Sequence, residues 1–473
     1  MSLKNYLAVD LGATSGRTII ASYDGQKVDM RELTRFKNPM IPLGGHLFWD
    51  LPALYNEIII ALKKAVAENI KIESIGIDTW GCDFAFFGKD GQLLSLPYCY
   101  RDSHTDGAIE TYMEVNDKRE VYDKTGIQFM QFNSLFQLNT LRKHGCTALA
   151  NADKILFIPD ALIYMLTGKA ICEYTVASTS QILNPKTGDL DKELLTSIGL
   201  KREQFGPMTQ PGTVVGPLTE QIREITGMSE DVKVVAIAAH DTASAVAAVP
   251  AKDEKYAYLS CGTWSLMGIE SPTPIINDES YKQNFTNEGG IEGTTRFLKN
   301  ICGLWLFEQC RPEFKDVPSD ISELTALCET TKFASIINPD DPSFAHPVSM
   351  TKAIDEYCER TGQIAPKTPA EYIRCIYKSL AHRYTAIIDI LRSLSPNEIN
   401  CLHVIGGGSL NKYLMQFTAD ALQMPVICGP TEGTALGNVL MQIKAQGLVN
   451  SLPEMREIVG RSVELKEYYP NNN

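Results

Sequence analysis

A hairpin pattern that occurs twice constrains the fold of this chain more than any other feature of its sequence. The segments VDLGATSGRTI (9–19) and LSCGTWSLMGI (259–269) each place a strand before a glycine turn that ends in serine, and a second strand follows. The turn glycines, Gly12 and Gly262, are 262 − 12 = 250 residues apart. One such hairpin is common. Two of them at this spacing predict two related α/β halves that face each other across a cleft.

The rest of the chain alternates strand-like and helix-like segments, which is typical of α/β proteins. Its 473 residues suffice for two or three domains, and 44% hydrophobic with 21% charged residues provides for sizeable cores. A charged link, AKDEK (251–255), follows Pro250 and precedes the second hairpin. We therefore place the domain boundary here, with residues 1–249 in the first domain and residues 250–473 in the second.

Charge and hydropathy exclude several classes of protein. The net charge of −13 argues against a general binder of nucleic acid or of acidic membranes. We find no apolar run of membrane-spanning length and no secretory signal, so we expect a cytoplasmic protein. The twelve cysteines show no C-x-x-C pair and no zinc-like spacing, which predicts reduced thiols. Only Cys358 and Cys375, in neighbouring helical segments, are placed to meet, and the sequence leaves a disulfide between them open.

The first glycine turn has the residues of a phosphate site. In LAVDLGATSGR (7–17) an apolar strand ends near Asp10, and Gly12 lets a ligand approach the backbone closely. The next residues offer hydroxyl and backbone N–H groups, and Arg17 offers a forked cation for phosphate oxygens. Asp10 is a candidate to hold Mg²⁺ through water, because Mg²⁺ binds few carboxylates and keeps several waters. The alternative is a plain hairpin turn with a surface arginine.

A carboxylate in the segment VVAIAAHDTASAVAAV (234–249) predicts a catalytic position. An apolar run that suits a buried strand leads to His240, Asp241 and Thr242, and small residues that suit a closely packed helix follow. Asp241 thus lies where a strand gives way to a helix, at the edge where α/β sheets bind ligands. The alternative is that Asp241 or Thr242 only caps the helix.

Other strand ends add candidate binding residues. The segment IGIDTWGCDFAFF (75–87) is unusually polar for a buried strand end, and Trp80 with Asp83 suits a sugar that needs both stacking and hydrogen bonds. Thr263 follows the second turn glycine, and Asn300 is the polar residue that we single out in LKNICGLW. The run IGGGSLN, which contains Gly407, suits close approach to an adenine ring or ribose, although a plain turn remains possible.

Taken in order, these segments resemble the FGGY carbohydrate kinases over nearly the whole chain. The resemblance implies an α/β fold of two actin-like ATPase (ribonuclease H-like) domains, with ATP and a sugar bound in the cleft between them. The motifs that carry it are AVDLGATSGR, GIDTWGCDF, YRDSHT, AAHDTASAV, LSCGTWSLMG, LKNICGLW and GGGSLN.

The resemblance also implies roles for individual residues. Asp241 is expected to be the catalytic base, in a sugar site that the family pattern builds from Gly81, His240, Asp241, Thr242 and Asn300. The residues expected to handle ATP are Ala13, Thr14, Ser15, Gly16, Arg17, Thr263, Glu308 and Gly407. Glu308 departs from the family pattern, in which a glutamine contacts ATP, and that contact is in doubt.

The implied activity is the ATP- and Mg²⁺-dependent phosphorylation of a ketose, with a small sugar and ATP as the partners rather than nucleic acid or a membrane. L-rhamnulose, phosphorylated at its primary hydroxyl, is the expected substrate. Fuculose or xylulose are alternatives, since a few hydroxyl contacts separate these sugars. A sugar-sensing protein that has lost the reaction is a further alternative, against which the retained Asp241 argues. The sequence does not predict an oligomeric state.

Overall fold

The computed structural model describes residues 3–345 and 347–471 as strands and helices that fall into two compact units. The strands in chain order are β1 (Lys4–Leu11), β2 (Ser15–Tyr23), β3 (Val28–Lys37), β4 (Ile41–Leu43), β5 (His46–Phe48), β6 (Ile72–Thr79), β7 (Phe84–Phe87), β8 (Lys154–Phe157), β9 (Cys172–Glu173), β10 (Leu183–Asn184), β11 (Asp189–Leu190), β12 (Met208–Thr209), β13 (Thr213–Pro217), β14 (Lys233–Ala236), β15 (Tyr256–Cys261), β16 (Trp264–Ser271), β17 (Thr286–Gly289), β18 (Thr295–Cys302), β19 (Cys401–Ile405), β20 (Val426–Cys428) and β21 (Lys466–Tyr468).

The helices alternate with these strands, as the sequence predicts. In chain order they are α1 (Leu51–Ala67), α2 (Ala108–Met113), α3 (Lys118–Thr125), α4 (Ser134–Lys143), α5 (Thr147–Ala150), α6 (Ile158–Thr167), α7 (Tyr174–Ser178), α8 (Lys192–Ser197), α9 (Glu220–Thr226), α10 (Asp241–Ala247), α11 (Asp278–Lys282), α12 (Trp305–Cys310), α13 (Ile321–Ala326), α14 (Met350–Arg360), α15 (Pro369–Leu394), α16 (Lys412–Leu422), α17 (Gly433–Ala445) and α18 (Leu452–Ser462). None of the helices in the described residues is long and apolar enough to cross a membrane.

The sheet of the first unit has the strand order β13-β14-β6-β1-β2-β3. Strands β1, β2 and β3 form an antiparallel meander, and β6 and β14 add to it in parallel with β1. Strand β1 is central because residues 6–9 are apolar and buried on both faces. Helix α1 covers one face with Leu54, Ile58 and Leu62, and its first turn is capped by Asp50, whose side chain accepts from the N–H of Ala53.

The sheet of the second unit repeats this topology. Its strands follow the order β18-β16-β15-β19-β20-β21, where β15 pairs antiparallel with β16 and parallel with β19, and β20 follows in parallel. Strands β15, β16, β18, β19 and β20 thus match β1, β2, β3, β6 and β14 in order. The 26-residue helix α15 leads to β19, and a reciprocal capping box between Thr368 and Glu371 starts it. The repeated hairpin in the sequence therefore marks a repeated sheet.

The chain crosses between the units more often than the sequence boundary suggests. The first crossing lies between Ala248 and Val249, next to the predicted boundary at 249/250, but residues 271–297 and 433–462 also pack in the first unit. Helix α17 explains the late return, because its Gly437 lies so close to α10 that an added Cβ would be 1.8 Å from the carbonyl oxygen of Ser244. The small residues of α10 and α17 are thus selected for close helix packing.

The cysteines are free thiols in the structure, including the pair that the sequence analysis singled out. Cys358 on α14 and Cys375 on α15 are both buried and unbonded. Burial, with a smaller contribution from the nearby Cys358, raises the pKa of Cys375 to about 12. The two thiols are therefore neighbours in the core that remain protonated, and thiolate chemistry is disfavoured there.

Candidate active site

Carboxylates gather at the carboxyl edge of the first unit's sheet. Asp10 and Asp78 stand beside each other in the parallel pairing of β1 with β6, and Thr79 bridges to His240 beyond the end of β14. Asp78 is fully buried. Burial raises its pKa well above the ordinary value, and the negative charges of Asp10 and Asp241 raise it further, against a hydrogen bond from Asn438. The parallel strands therefore bring together three acidic residues that lie far apart in the sequence.

Arg17 is paired with one of these carboxylates. The register of the β1–β2 hairpin places it opposite Asp10, and its Nη2 and Nε donate to Oδ2 of Asp10 at 2.7 and 2.9 Å. Both side chains are only partly buried, at 20% and 13% exposure. The guanidinium predicted to meet phosphate oxygens is thus held against the carboxylate predicted to hold Mg²⁺.

The turn between β1 and β2 is fixed by its own backbone and by Asn38, which the sequence analysis missed. The N–H of Gly12 donates to the carbonyl of Ser15 at 2.9 Å, and the side-chain amide of Asn38 donates to the carbonyl of Gly12 at 2.9 Å. Thr14 is exposed at the tip, while Ala13 and Ser15 are half-buried. The Cα of Gly16 is covered, because an added Cβ would be 2.3 Å from the ring of Phe36. Gly16 is therefore needed for packing, whatever its backbone contacts with a ligand.

Asp241 begins helix α10 rather than capping it. His240 occupies the N-cap position without a side-chain cap hydrogen bond, and Asp241 is the first helical residue. Oδ1 of Asp241 accepts from the N–H of Thr242 at 2.5 Å and from its hydroxyl at 3.1 Å. His240 and Thr242 are buried, whereas the side chain of Asp241 is 35% exposed. An anionic side chain in the first turn is favoured by the helix dipole, and its exposed carboxylate can meet a substrate.

A buried glutamate holds the backbone that leads to Asp241. One oxygen of Glu173 accepts from the N–H of Ala239 at 3.2 Å, and the hydroxyl of Thr175 accepts from the N–H of His240 at 3.2 Å. Burial raises the pKa of Glu173 to about 7, against hydrogen bonds from Thr175, Val176 and Ala239. The sequence analysis missed Glu173, because Ala239, the partner that connects it to the site, is 66 residues away along the chain.

The polar end of β6 is divided between the site and the core. Gly81 packs on Thr179, since an added Cβ would be 2.7 Å from the hydroxyl oxygen of Thr179. Asp83 is buried and accepts from Trp49 and Trp80 at 2.6 and 2.9 Å and from Gln137 at 2.8 Å. A sugar contact of Asp83 is therefore contradicted, because its hydrogen-bonding capacity is taken up inside the protein, whereas sugar stacking on Trp80 stays a prediction.

In the second unit, the glycine turns pack on one another. Gly406, with a φ of +85°, would place a Cβ 3.0 Å from the carbonyl oxygen of Cys261, and a Cβ on Gly408 would be 2.3 Å from the Cys261 thiol. Gly407, between them, is exposed, and an added Cβ would have nothing within 4 Å. Gly406 and Gly408 thus build the turn, while Gly407 offers an open backbone for a ligand.

The other predicted residues of this unit lie around the hairpin turn. Thr263 is exposed, and its carbonyl accepts from the N–H of Gly303 at 3.1 Å. Asn300 is half-buried on β18 next to Lys299, whose pKa is lowered to about 8 by burial and by the charge of Arg383. Glu308 lies on α12, 42% exposed, with an oxygen 3.2 Å from Arg311. The carboxylate of Glu308 is thus paired with a residue one helical turn away in the sequence, Arg311.

Two family models match the chain in sequence order. The N-terminal domain of the FGGY family of carbohydrate kinases matches residues 5–248, and the C-terminal domain of that family matches residues 257–446. The chain belongs to the FGGY family of carbohydrate kinases. The resemblance inferred from the motifs is confirmed, and this FGGY kinase is a phosphotransferase of sugars.

Two relatives that match this chain over nearly its full length are both named Rhamnulokinase. A Rhamnulokinase of Bacteroides thetaiotaomicron is 53% identical over 471 residues, which cover 99% of this chain and 96% of that protein. A Rhamnulokinase of Pectobacterium carotovorum subsp. carotovorum is 42% identical over 476 residues, with coverage of 99% and 94%. The chain is thus similar over nearly its whole length to two proteins named Rhamnulokinase.

Solved structures confirm the fold. Gluconate kinase from Lactobacillus acidophilus matches with a TM-score of 0.83 at 19% identity, and ligand-bound xylulose kinase from the same organism matches with a TM-score of 0.82 at 19% identity. Each match covers 99% of this chain and 94% of the other. The FGGY kinase therefore has the two-domain, ribonuclease H-like α/β fold that the sequence predicted.

Proposed function

We propose that this FGGY kinase transfers the terminal phosphoryl group of ATP to the primary hydroxyl of L-rhamnulose, in the cytoplasm, as a step of rhamnose catabolism. The observation that carries the proposal is the 53% identity over 99% of the chain to a protein named Rhamnulokinase. The exposed Asp241 at the start of α10 supports a catalytic rather than a sugar-sensing protein. Free cysteines fit a reducing compartment.

Asp241 is the proposed base. A carboxylate is a weak base for an alcohol, but phosphoryl transfer passes through a loose transition state, so the hydroxyl proton can leave late. The main task of Asp241 is then to orient the sugar hydroxyl towards the phosphorus and to accept its proton. Gly81, His240, Thr242 and Asn300 are the proposed sugar contacts, and the buried positions of His240 and Thr242 favour them as fixed hydrogen-bonding groups.

The residues at the strand ends of the first unit fit a hydrated magnesium ion. Asp78 has a buried oxygen, Oδ1, without a hydrogen-bond partner among the described residues, and Asp10 stands beside it. Within the residues that the structure describes, no three acidic, histidine or cysteine side chains are grouped closely enough to ligate a metal ion directly. Asp10, which already accepts two hydrogen bonds from Arg17 at Oδ2, would hold Mg²⁺ through water. A bound Mg²⁺ supplies positive charge that offsets the charge of the nucleotide phosphates.

ATP is the proposed second substrate, and each unit contains candidate residues for it. In the first unit, residues 13–17 offer the N–H groups of the turn and the guanidinium of Arg17. In the second unit, the exposed Thr263 and Gly407 let the nucleotide approach the backbone closely. Glu308 is the weakest of these assignments, since it is paired with Arg311.

A coupled assay of ADP release with a panel of ketoses tests this function. The panel contains L-rhamnulose, L-fuculose and xylulose, each with ATP and Mg²⁺, and the control replaces Mg²⁺ with EDTA. We expect the highest kcat/KM with L-rhamnulose and no turnover in EDTA. A higher kcat/KM with xylulose or fuculose would assign the chain to a neighbouring activity of the family. Sugar binding without turnover of any ketose would favour the sugar-sensing alternative.

A further inference from the structure

A buried ion pair lies behind His240 in the first unit, in residues that the proposed reaction does not use. Glu288 comes from β17, within the segment NEGGIEG, and Arg296 comes from the start of β18. Their side chains are 7% and 0% exposed, and Nη2 of Arg296 is 3.1 Å from Oε2 of Glu288. Removing two charges from water costs free energy that their attraction only partly offsets. A pair placed here therefore points to a role beyond stability.

The guanidinium of Arg296 is fixed and reaches the histidine ring. Its Nε donates to the carbonyl of Gly289 at 2.9 Å, which anchors it to the end of β17. Its Nη2 is 3.2 Å from Nδ1 of His240. A guanidinium can only donate hydrogen bonds. Nδ1 of His240 therefore accepts, and the proton of the neutral ring is on Nε2.

Glu288 balances the charge of Arg296. Burial acts to raise the pKa of Glu288, but the positive charge of Arg296 outweighs it, so that the pKa is lowered. Glu288 is therefore an anion next to the buried cation. Its Oε2 is also 3.3 Å from Nδ1 of His240, so Nη2 of Arg296 lies close to both acceptors. Without this anion, Arg296 would be an uncompensated charge in the core.

The other side of the ring faces the proposed base. Nε2 of His240 is 3.4 Å from Oδ1 of Asp241, so a proton on Nε2 faces the carboxylate. The contacts that the described residues make with the Asp241 carboxylate all fall on Oδ1, from His240 and from Thr242. Oδ1 is thus the oxygen held by the protein, and Oδ2 is the one left to meet the substrate hydroxyl.

We propose that Arg296 is a positioning residue, which keeps the proton of His240 on Nε2 and so makes the ring a fixed donor to Oδ1 of Asp241. The proposal rests on the proposed function, since it assumes that Asp241 is the base. In the reaction the O–H bond of the sugar breaks, and its proton is received at Oδ2. Arg296 touches neither substrate, and it acts through His240 alone. Without Arg296, the ring of His240 can carry its proton on Nδ1 instead, and an unprotonated Nε2 then faces the carboxylate of Asp241.

NMR of the ring nitrogens tests the tautomer directly. The protein is labelled with ¹⁵N-histidine, and the signal of His240, one of seven histidines, is assigned by its disappearance in His240→Asn. We expect a neutral ring protonated at Nε2 at pH 7 in the free wild-type protein. A ring protonated at Nδ1, or a doubly protonated ring, would overturn the proposal. Because no turnover is needed, this result is independent of whether L-rhamnulose is the substrate.

Steady-state kinetics in the wild-type and His240→Asn proteins test whether Arg296 acts through His240. Arg296→Gln alone leaves Glu288 unpaired and can unfold the protein, so the main variant is the neutral pair Glu288→Gln with Arg296→Gln. We expect it to lower kcat by about 10- to 100-fold and to change the ketose KM less than about threefold, as for a group that orients the base. In a His240→Asn background the same pair should cost less than about threefold. Equal losses in both backgrounds would show that Arg296 does not act through His240.

Two further variants separate positioning from folding. Arg296→Lys keeps the charge and one donor, and we expect it to retain more of kcat than the neutral pair does. Arg119→Gln removes an arginine that pairs with Asp123 and Asp278 at the surface, and we expect wild-type kcat from it. If the neutral pair and Arg296→Lys lose kcat equally while the pair keeps the Nε2 tautomer, the positioning role is wrong.

Discussion

The two units have the same strand order but different residues at the ends of the corresponding strands. Both units place a glycine after the first strand of the hairpin, Gly12 and Gly262, but the first unit also carries a carboxylate at or beyond the end of three strands, where the second unit has further glycines. The residues that follow β1, β6 and β14 or end them are Asp10, Asp78 and Asp241, and those that follow β15, β19 and β20 are Gly262, Gly406 to Gly408 and Gly429. The repeated sheet therefore presents two edges that differ in the presence of carboxylates.

Under the proposed function, this difference assigns a separate task to each unit. Carboxylates suit hydroxyl protons and a hydrated cation, but at short range they repel a triphosphate. Glycines carry no charge and expose N–H groups, so they suit close approach of a nucleotide. In the first unit, burial raises the pKa of Asp78, and the charges of Asp10 and Asp241 raise it further. Each prediction below tests one side of this comparison.

The largest effect is expected at Asp241. Asp241→Asn should lower kcat by roughly 10²–10⁴-fold, because it removes the proton acceptor and leaves the hydroxyl poorly oriented. The side chain is partly exposed, so the thermal midpoint should stay within a few degrees of wild type. Steady-state kinetics and calorimetry measure the two quantities, and the matched control is Asp231→Asn on an exposed turn. Near-normal kcat in Asp241→Asn would return Asp241 to a purely structural role in its helix.

The next effect concerns the buried acid behind the strand ends of the first unit. Glu173 has a pKa raised from 4.5 to about 7, so the folded state holds a proton that the unfolded state loses between these values. Stability from this group is full below about pH 4.5 and is lost as the pH rises through 7, by about 3 kcal/mol in all. Urea unfolding from pH 4.5 to 8 should show a fall in stability that is shallower in Glu173→Gln. The same slope in both proteins would contradict the assignment.

The sequence predicted the strands and helices better than the buried side chains that contact the site residues. Strand and helix patterns are local, so both hairpins and the junction before Asp241 are found where the sequence pattern places them. The buried partners are not local: Glu173, Asn438 and Arg296 reach the site from segments 56 or more residues distant. For the same reason Asp83 resembled a sugar ligand until its three side-chain donors were seen. The later return of residues 433–462 to the first unit also had no local signal.

The glycine edge of the second unit should separate packing from ligand approach. Gly408→Ala places a methyl group against Cys261 and should destabilise the protein by about 1–3 kcal/mol. Gly407→Ala meets open space and should leave stability within about 0.5 kcal/mol. It should instead raise the KM for ATP several-fold and leave the ketose KM unchanged. Denaturant unfolding and steady-state kinetics of both variants provide the comparison, and a change in ketose KM alone would argue against nucleotide at Gly407.

A smaller effect, on the KM for MgATP, is expected at Arg17, which pairs with Asp10 in the first unit. Arg17→Ala removes a charged pair at 2.7 Å from Asp10 and the proposed phosphate cation, and should raise the KM for MgATP by about tenfold. The ketose KM should change less than about threefold. Arg17→Lys keeps the charge without the forked geometry and should be intermediate. A weakened ketose response with unchanged ATP dependence would assign the first turn to the sugar.

The smallest effect is expected at Glu308, the one acidic residue proposed near the nucleotide in the second unit. If the nucleotide phosphates bind at the glycine turns, a nearby negative charge would repel them. The carboxylate of Glu308 is then tolerated only because Arg311, 3.2 Å away, neutralises it. Exposed pairs of this kind contribute about 0–1 kcal/mol. Glu308→Gln should therefore change the KM for ATP by no more than about threefold, and Arg311→Gln should raise that KM more, since it leaves the carboxylate unbalanced. A tenfold loss of ATP affinity in Glu308→Gln would instead mean that the carboxylate itself accepts a hydrogen bond from the nucleotide, and the two edges would then differ less in their chemistry than their glycines suggest.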